Sequence, residues 1–489
     1  MEHLTAFFQE FALASTLALG LQVVLTVGVI LRVVLTRHPP GSSFAWILLT
    51  LALPYIGFLL YVMIGEKPIG RWRAFKMKKA ARHWNQVLSE RPCNAHLLQR
   101  HAEHAGLLRL AQHLGHIPSS DGSKLELISQ TDRVFMLMIN DIAQARHNID
   151  MEFYIWNVGG LVDTLSETLI QAAERGVRCR ILVDAIGSRE FLSSDWPHRF
   201  KEAGIHLSVA LPVRFLSFGK GRADLRLHRK TVVIDDRIGY TGSLNMIDPA
   251  YFKKEANLGQ WVDAMARVEG SAVSDLKLVI EYDWALQPDD EGRMPEMLDI
   301  SPTPAVGSAC VTVVPSGPSS MADANLRLII EAVNNAKRRV LITTPYFVPG
   351  EALVMALQNA AIRGVDVRLC VPEANDSVFV RWASRRYFEG LMACGVHIML
   401  FQDGLLHTKA ITIDDELAIF GTVNMDNRSM HLNFEMMLLV FDNDFVSSLV
   451  ALQEHYESRS LCVNPTTWHG RSFGSRLREG LCYLLSPLL

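Results

Sequence analysis

The sequence carries no basic surplus. Its 48 lysines and arginines stand against 51 acidic residues, a net charge of −3. Proteins that hold nucleic acid draw most of their non-specific affinity from phosphate contacts, so this balance argues against DNA or RNA as a partner. Cysteine is scarce and scattered. Cys93, Cys179, Cys310, Cys370, Cys394, Cys462 and Cys482 form no C-x-x-C pair, which speaks against a zinc ribbon or disulfide framework and suits reduced thiols. Residues 1–10 lack lysine and arginine, and the apolar run that follows is too long for the core of a cleaved signal peptide.

Apolar residue is abundant instead, at 49% of the 489 residues. Phe11–Leu31 and Phe44–Gly65 are runs without a charge, each long enough to cross a hydrocarbon core of about 30 Å as a helix. A transmembrane hairpin over residues 1–66 is therefore predicted. Arg32, Arg37 and Pro39-Pro40-Gly41 lie between the spans, and Lys67, Arg71, Arg73, Lys76, Lys78, Lys79 and Arg82 follow the second. Positive-inside bias places everything after residue 66 in the cytoplasm. A basic connector over 67–120 would also draw the chain to anionic membrane lipid. Its five histidines, His96, His101, His104, His113 and His116, are read as an exposed helix rather than as metal ligands.

From residue 121 short β-branched runs alternate with helical stretches, the pattern of an α/β fold. The pattern is written twice. Ala172-Ala173-Glu174-Arg175-Gly176-Val177 recurs as Ala360-Ala361-Ile362-Arg363-Gly364-Val365, and Phe153-Tyr154-Ile155 is echoed by Tyr346-Phe347-Val348. The stretch from Gln287 to Ala309 reads as a linker, giving halves at 121–290 and 291–489.

Each half ends in one chemical signature. The first copy is His228-x-Lys230 with Asp235, Gly242, Ser243 and Asn245; the second is His407-x-Lys409 with Asp414, Gly421, Thr422 and Asn424. Lys, Asp, Gly and Asn fall at +2, +7, +14 and +17 from His in both, in register with an independent repeat. Residues at i and i+2 of a strand share a face, so each His and Lys should point together. Packing about a pseudo-two-fold axis would bring both pairs to one site.

That set suits phosphodiester transfer without a metal. One imidazole can attack phosphorus; the other can protonate the leaving alcohol and deprotonate the incoming one. The lysines, with Ser243, Asn245, Thr422 and Asn424, can hold the non-bridging oxygens. A reacting imidazole needs a partner on its far nitrogen. Asp263 and Glu435 are the candidates, with Glu255 competing with Asp263 for the first histidine. Asp235 and Asp414 end strands, where a turn-forming role competes with a catalytic one.

These residues resemble the phospholipase D superfamily, whose two H-x-K-x4-D-x6-G-[ST]-x-N motifs are matched throughout. The chain is most similar to the bacterial cardiolipin synthases. Arg37-His38-Pro39-Pro40, Phe44-Ala45-Trp46, Tyr61-Val62-Met63-Ile64-Gly65-Glu66, His228-Arg229-Lys230, Tyr240-Thr241-Gly242-Ser243 and Ser486-Pro487-Leu488-Leu489 extend the likeness beyond the motifs. The resemblance implies two α/β sandwich halves, each a mixed sheet flanked by helices. It also implies an inner-membrane enzyme that transfers phosphatidyl between two phosphatidylglycerols through a phosphohistidine, releasing glycerol. His228 would be the nucleophile and His407 the acid and base, with no metal or organic cofactor. Water or serine as acceptor would instead make a hydrolase or a phosphatidylserine synthase, and the motifs do not separate these. The tail around Phe473, Arg476, Leu477, Arg478, Leu481, Tyr483 and Leu484 mixes basic and apolar residues. It suits either the membrane interface or packing on the second half.

Overall fold

The computed structural model describes residues 2–36, 40–65, 75, 77–78, 95–212, 224–251, 259–287, 300–318 and 323–486. Most of the basic run after residue 66, Glu255, most of the linker and the last three residues lie outside them. The chain divides into two compact units, Met1–Phe75 with Arg214–Leu225, and Lys76–Val213 with Arg226–Leu489.

In the first unit, Glu2–Leu35 is one helix whose Leu13–Leu35 portion has a mean hydropathy of 2.3. Its leucines and valines are largely exposed, Leu35 to 82%. The second apolar run is not the single straight helix expected. It forms Pro40–Ala52 and Pro54–Leu60, followed by a π turn at Tyr61–Gly65. The break falls at Leu53 (φ −136°, ψ 74°), because proline lacks an N–H and crowds the turn before it. The bend brings Gly57 so close to the preceding helix that a Cβ would lie 2.7 Å from the Cα of Thr50. Tyr61 packs with Val29 and Val33, and the Tyr55 hydroxyl donates to the Ala18 carbonyl at 2.8 Å.

In the second unit, each half builds a seven-stranded mixed sheet in one order. In the first half the strands run Ser120–Ile128, Met265–Gly270, Ile238–Gly242, Lys230–Ile234, Asn148–Phe153, Arg178–Asp184 and His206–Ala210, the last three mutually parallel. The second half repeats this as Ala309–Ser316, Glu435–Phe441, Leu417–Gly421, Ala410–Ile413, Arg339–Thr343, Asp366–Pro372 and His397–Phe401. The first strands of the two halves pair antiparallel, Ser120 opposite Val311. With Ser460–Cys462 at the far edge, the sheet is continuous over 15 strands.

Helices including Thr131–Gln144 and Leu161–Glu174 bury their apolar faces over the first half; Ala324–Asn335 and Glu351–Ile362 do so over the second. On the opposite face Ala272–Ala285 and Asn443–Ser458 share one core with Val233, Val311 and Leu341, so both halves contribute to it. The repeated Arg-Gly acquires a reason here. Gly176 (φ +92°) and Gly364 (φ +91°) end their helices in the left-handed region, where a side chain is strained. Arg175 donates to the carbonyls of Ile142 and Ala143, and Arg363 to those of Val333 and Asn334, closing the preceding helix.

Two readings change. Residues 95–115 are not an exposed connector. Leu97, Leu107, Leu108, Ala111 and Leu114 are buried in the core of the second half, and the His101 and His104 rings lie 4.5 and 5.2 Å from that of Phe441. The echo of Phe153-Tyr154-Ile155 is also offset. Trp156 bridges Met246 as Phe347 bridges Met425, one residue past each motif asparagine, so Ile155-Trp156 corresponds to Tyr346-Phe347.

Candidate active site

Both motif strands begin at or after the lysine, at Lys230 and Ala410. Each histidine therefore sits just ahead of its strand rather than sharing a strand face with its lysine. The other half holds it there. The His228 amide donates to the Phe434 carbonyl at 2.9 Å, and the His407 amide to the Val262 carbonyl at 2.8 Å. Leu227 bridges Phe434, and Leu405-Leu406 pairs in parallel with Trp261-Val262. Each lysine bends back on its own motif: Lys230 Nζ donates to the His228 carbonyl and Lys409 Nζ to the His407 carbonyl, both at 2.6 Å.

The same exchange sets the carboxylates. Phe434 and Val262 each stand one residue before an acid, so each acid reaches the histidine of the opposite half. Glu435 Oε2 lies 2.9 Å from His228 Nδ1, and Asp263 Oδ1 lies 2.7 Å from His407 Nδ1. The expectation that Asp263 serves the first histidine is corrected: it serves the second. An ionised carboxylate only accepts, so each Nδ1 carries the proton and each Nε2 keeps its lone pair. Glu435 also accepts from Thr422 Oγ1 (2.5 Å), Ser429 Oγ (2.7 Å) and Asn433 Nδ2 (3.2 Å).

All six of these charged or titratable groups are buried. Burial pushes His228 down to about 4, against the raising effect of Glu435 and with help from both lysines. His407 is lowered by burial and by Lys409 and Lys230, against Asp263. Lys230 is lowered to about 8 by burial, and Lys409 to about 7 by burial and by the charge of Lys230. Burial raises Glu435 and Asp263, but their histidines and the lysines overcome it and leave both below the usual carboxylate range. Each lysine thus acts on the other half's histidine, so the two motifs share one electrostatic site. The apo state is two neutral imidazoles on two carboxylates, beside two lysines that an arriving anion would hold protonated.

Other candidates fall elsewhere. Asp235 and Asp414 stand at the far ends of their strands, about 15 Å from the lysines at the usual rise. Asp235 accepts the amides of Arg146, His147 and Asn148 at 2.7–3.2 Å, and Asp414 those of Lys337, Arg338 and Arg339 at 2.6–2.9 Å. Both have positive φ, 51° and 54°. They tie a turn to the start of the neighbouring strand, which overturns a catalytic role. The Ser243 hydroxyl exchanges hydrogen bonds with the backbone of Ala264, and Thr422 braces Glu435. Asn245 Oδ1 accepts from the Ile155 amide, whereas Asn424 is buried with its Oδ1 unpartnered among the described residues.

Several residues at the site escaped the sequence reading. Tyr154 lies 4.9 Å from the His228 ring and Trp261 4.6 Å from the His407 ring. Arg229 donates to the carbonyls of Glu435 and Ser316, both at 3.0 Å, and pairs with Asp283. Arg229 gave no separate signal, since it sits among the charged and basic residues Arg226, His228 and Lys230.

The family described as cardiolipin synthase, PLD-like domain, matches residues 138–269 and 329–456, and the phospholipase D-nuclease N-terminal family matches 24–66. Cardiolipin synthase A of Serratia proteamaculans is 40% identical over 95% of this chain and 96% of its own length. The same protein of Escherichia coli is 38% identical over 98% and 99%. Among solved structures, phosphatidylserine synthase of Haemophilus influenzae superposes with a TM-score of 0.61 at 15% identity, covering 78% of this chain and all of that one, a likeness of fold.

Proposed function

We propose, from the premise that this chain belongs to the bacterial cardiolipin synthases of the phospholipase D superfamily and is a phosphatidyltransferase, that it works through a phosphohistidine on His228 with phosphatidylglycerol as donor and acceptor. The observation that carries the reading is the crossed pairing, which leaves each Nε2 without a hydrogen-bond partner among the described residues and each imidazole in the field of both lysines.

In the first step His228 Nε2 attacks phosphorus, and the bond to the glycerol oxygen breaks. The phosphodiester anion raises His407, which enters protonated and gives its Nε2 proton to the departing glycerol. In the second step His407 takes the proton of the hydroxyl of a second phosphatidylglycerol. That oxygen attacks phosphorus, the P–N bond breaks, and His228 returns neutral. Glu435 and Asp263 stabilise whichever imidazole is charged, and the lysines balance the equatorial oxygens. Burial of the pair (His228 7% and His407 3% exposed) supports transfer over hydrolysis by limiting water at the phosphohistidine. The apolar helix Glu2–Leu35 and the kinked limb Pro40–Gly65 would cross the inner membrane and return. Positive-inside bias then puts the chain beyond residue 66 on the cytoplasmic side.

The test is reconstitution in phosphatidylglycerol vesicles, with lipids and released glycerol followed by mass spectrometry. Cardiolipin and glycerol in equal amounts, abolished by His228→Ala or His407→Ala, is the expected result. Phosphatidic acid as main product would make the chain a hydrolase.

A further inference from the structure

The helix Phe473–Tyr483 has two faces in different surroundings. Inward, Glu479 is fully buried and accepts from Arg471 at 3.0 and 3.2 Å. Cys482 packs with Val348, Val380 and Ala383, and the Tyr483 ring lies 5.5 Å from that of Tyr387. Outward, Phe473, Leu477, Leu481 and Leu484 are 75, 49, 56 and 73% exposed. Their spacing of four, four and three makes one stripe along the helix, about 16 Å long at 1.5 Å per residue. The two alternatives raised for the tail are thus the two faces of one helix.

The charge of the outer face is of one sign. Glu479 is the helix's only acid and is turned inward, whereas Arg476 and Arg478 are exposed. Arg478 lies over the Trp382 ring at 4.5 Å, and Arg476 has no acidic partner among the described residues. An apolar stripe flanked by arginines matches a bilayer interface, where acyl chains take the leucines and phosphates the guanidinium groups. The face is also joined to the site. The carbonyl of Ser486 accepts from Asn427 Nδ2 at 2.7 Å. Asn427 opens the short helix Asn427–His431, whose Ser429 hydroxyl donates to Glu435, the carboxylate on His228.

We infer that the outer face of Phe473–Leu484 is a docking surface for an anionic phospholipid bilayer, seated on the same loop that carries the hydrogen-bond partner of Glu435. The surface holds the site's rim against the leaflet from which its lipids come. The inference rests on phospholipids as substrates and not on the phosphohistidine.

The full chain separates the outcomes. Leu477→Glu with Leu481→Glu should lower turnover of phosphatidylglycerol in bilayers about tenfold or more, and Arg476→Glu should lower it in anionic but not in neutral-diluted vesicles. Turnover of a short-chain, monomerically dispersed phosphatidylglycerol should not change. A nitroxide on Leu481→Cys, with the other accessible cysteines replaced by serine, should meet oxygen more readily than a water-soluble nickel chelate. Equal loss on both substrates would assign the leucines to packing and overturn the inference. So would unchanged turnover with a water-exposed nitroxide, or a lower oligomeric state in the double variant, which would mark the face as a contact between copies.

Discussion

Glu435→Gln tests the crossed pairing most directly. The carboxylate accepts four side-chain hydrogen bonds, two on each oxygen. Glutamine keeps the shape. Its carbonyl can face His228 and Thr422 while its NH2 faces Ser429, whose hydroxyl can turn to accept, and Asn433, whose amide can flip to present its Oδ1. What disappears is the negative charge beside an imidazole that becomes cationic when it bonds to phosphorus. Uncoupling a buried charge pair is worth about 3–5 kcal/mol, which at 1.36 kcal/mol per decade lowers the rate between about 10² and 10⁴-fold. Asp263→Asn should lose a similar amount for a different reason, since it disfavours the protonated His407 that must supply the leaving group's proton. A leaving group that needs no proton separates them. With phosphatidyl-p-nitrophenol, Asp263→Asn should recover the burst of p-nitrophenol and then stall with labelled lipid on the protein, whereas Glu435→Gln should show no burst. The opposite pattern, rescue of Glu435→Gln alone, would refute the assignment of each acid to the other half's histidine.

Activity and stability should move oppositely with pH. Lys409 and Lys230 sit near 7 and 8 rather than at the ordinary 10.5, so kcat/KM should fall as pH rises through 7–8, and Lys409→Arg, if active, should lose the lower limb. Between about 7 and 10 the unfolded chain holds protons that the native lysines have shed, so these two groups make urea midpoints rise over that window. Asp414→Ala removes the acceptor of three amides and should lower stability by about 2–3 kcal/mol in denaturant titrations without changing turnover per folded molecule. Asp235→Ala, at a less buried position, should cost less. Arg229→Met leaves Asp283 beside Glu152, which burial and Asp283 already raise well above the usual range; a loss of about 3–5 kcal/mol, partly restored by Asp283→Asn, is expected by the same titration.

The duplication, the two motifs and the chemistry they serve were legible in the residues alone, because a fixed spacing repeated in register needs no knowledge of the fold. So was the α/β class, from the alternation of β-branched and helical runs. The kink at Pro54 has a local cause in the proline itself, which run length alone does not register. The stretch over 95–115 was misread because the reading rested on its histidines, whereas Leu107, Leu108, Ala111 and Leu114 carry the buried face.

What only the tertiary structure decided is which acid serves which histidine. His228 and Glu435 are 207 positions apart and His407 and Asp263 are 144, and each bond crosses from one half to the other. Local spacing ranks Asp263 with His228 because they are near in sequence. The backbone pairing of Leu227 with Phe434 and of Leu405-Leu406 with Trp261-Val262 overrides that ranking, since a residue's neighbour along a strand goes wherever the strand is paired. The same logic moved Asp235 and Asp414 out of the site: a strand of four or five residues carries its two ends apart, however constant the motif that spans it. The sequence alone thus determined the list of groups and their chemistry, and the pairing of strands across the two halves determined the circuit they form.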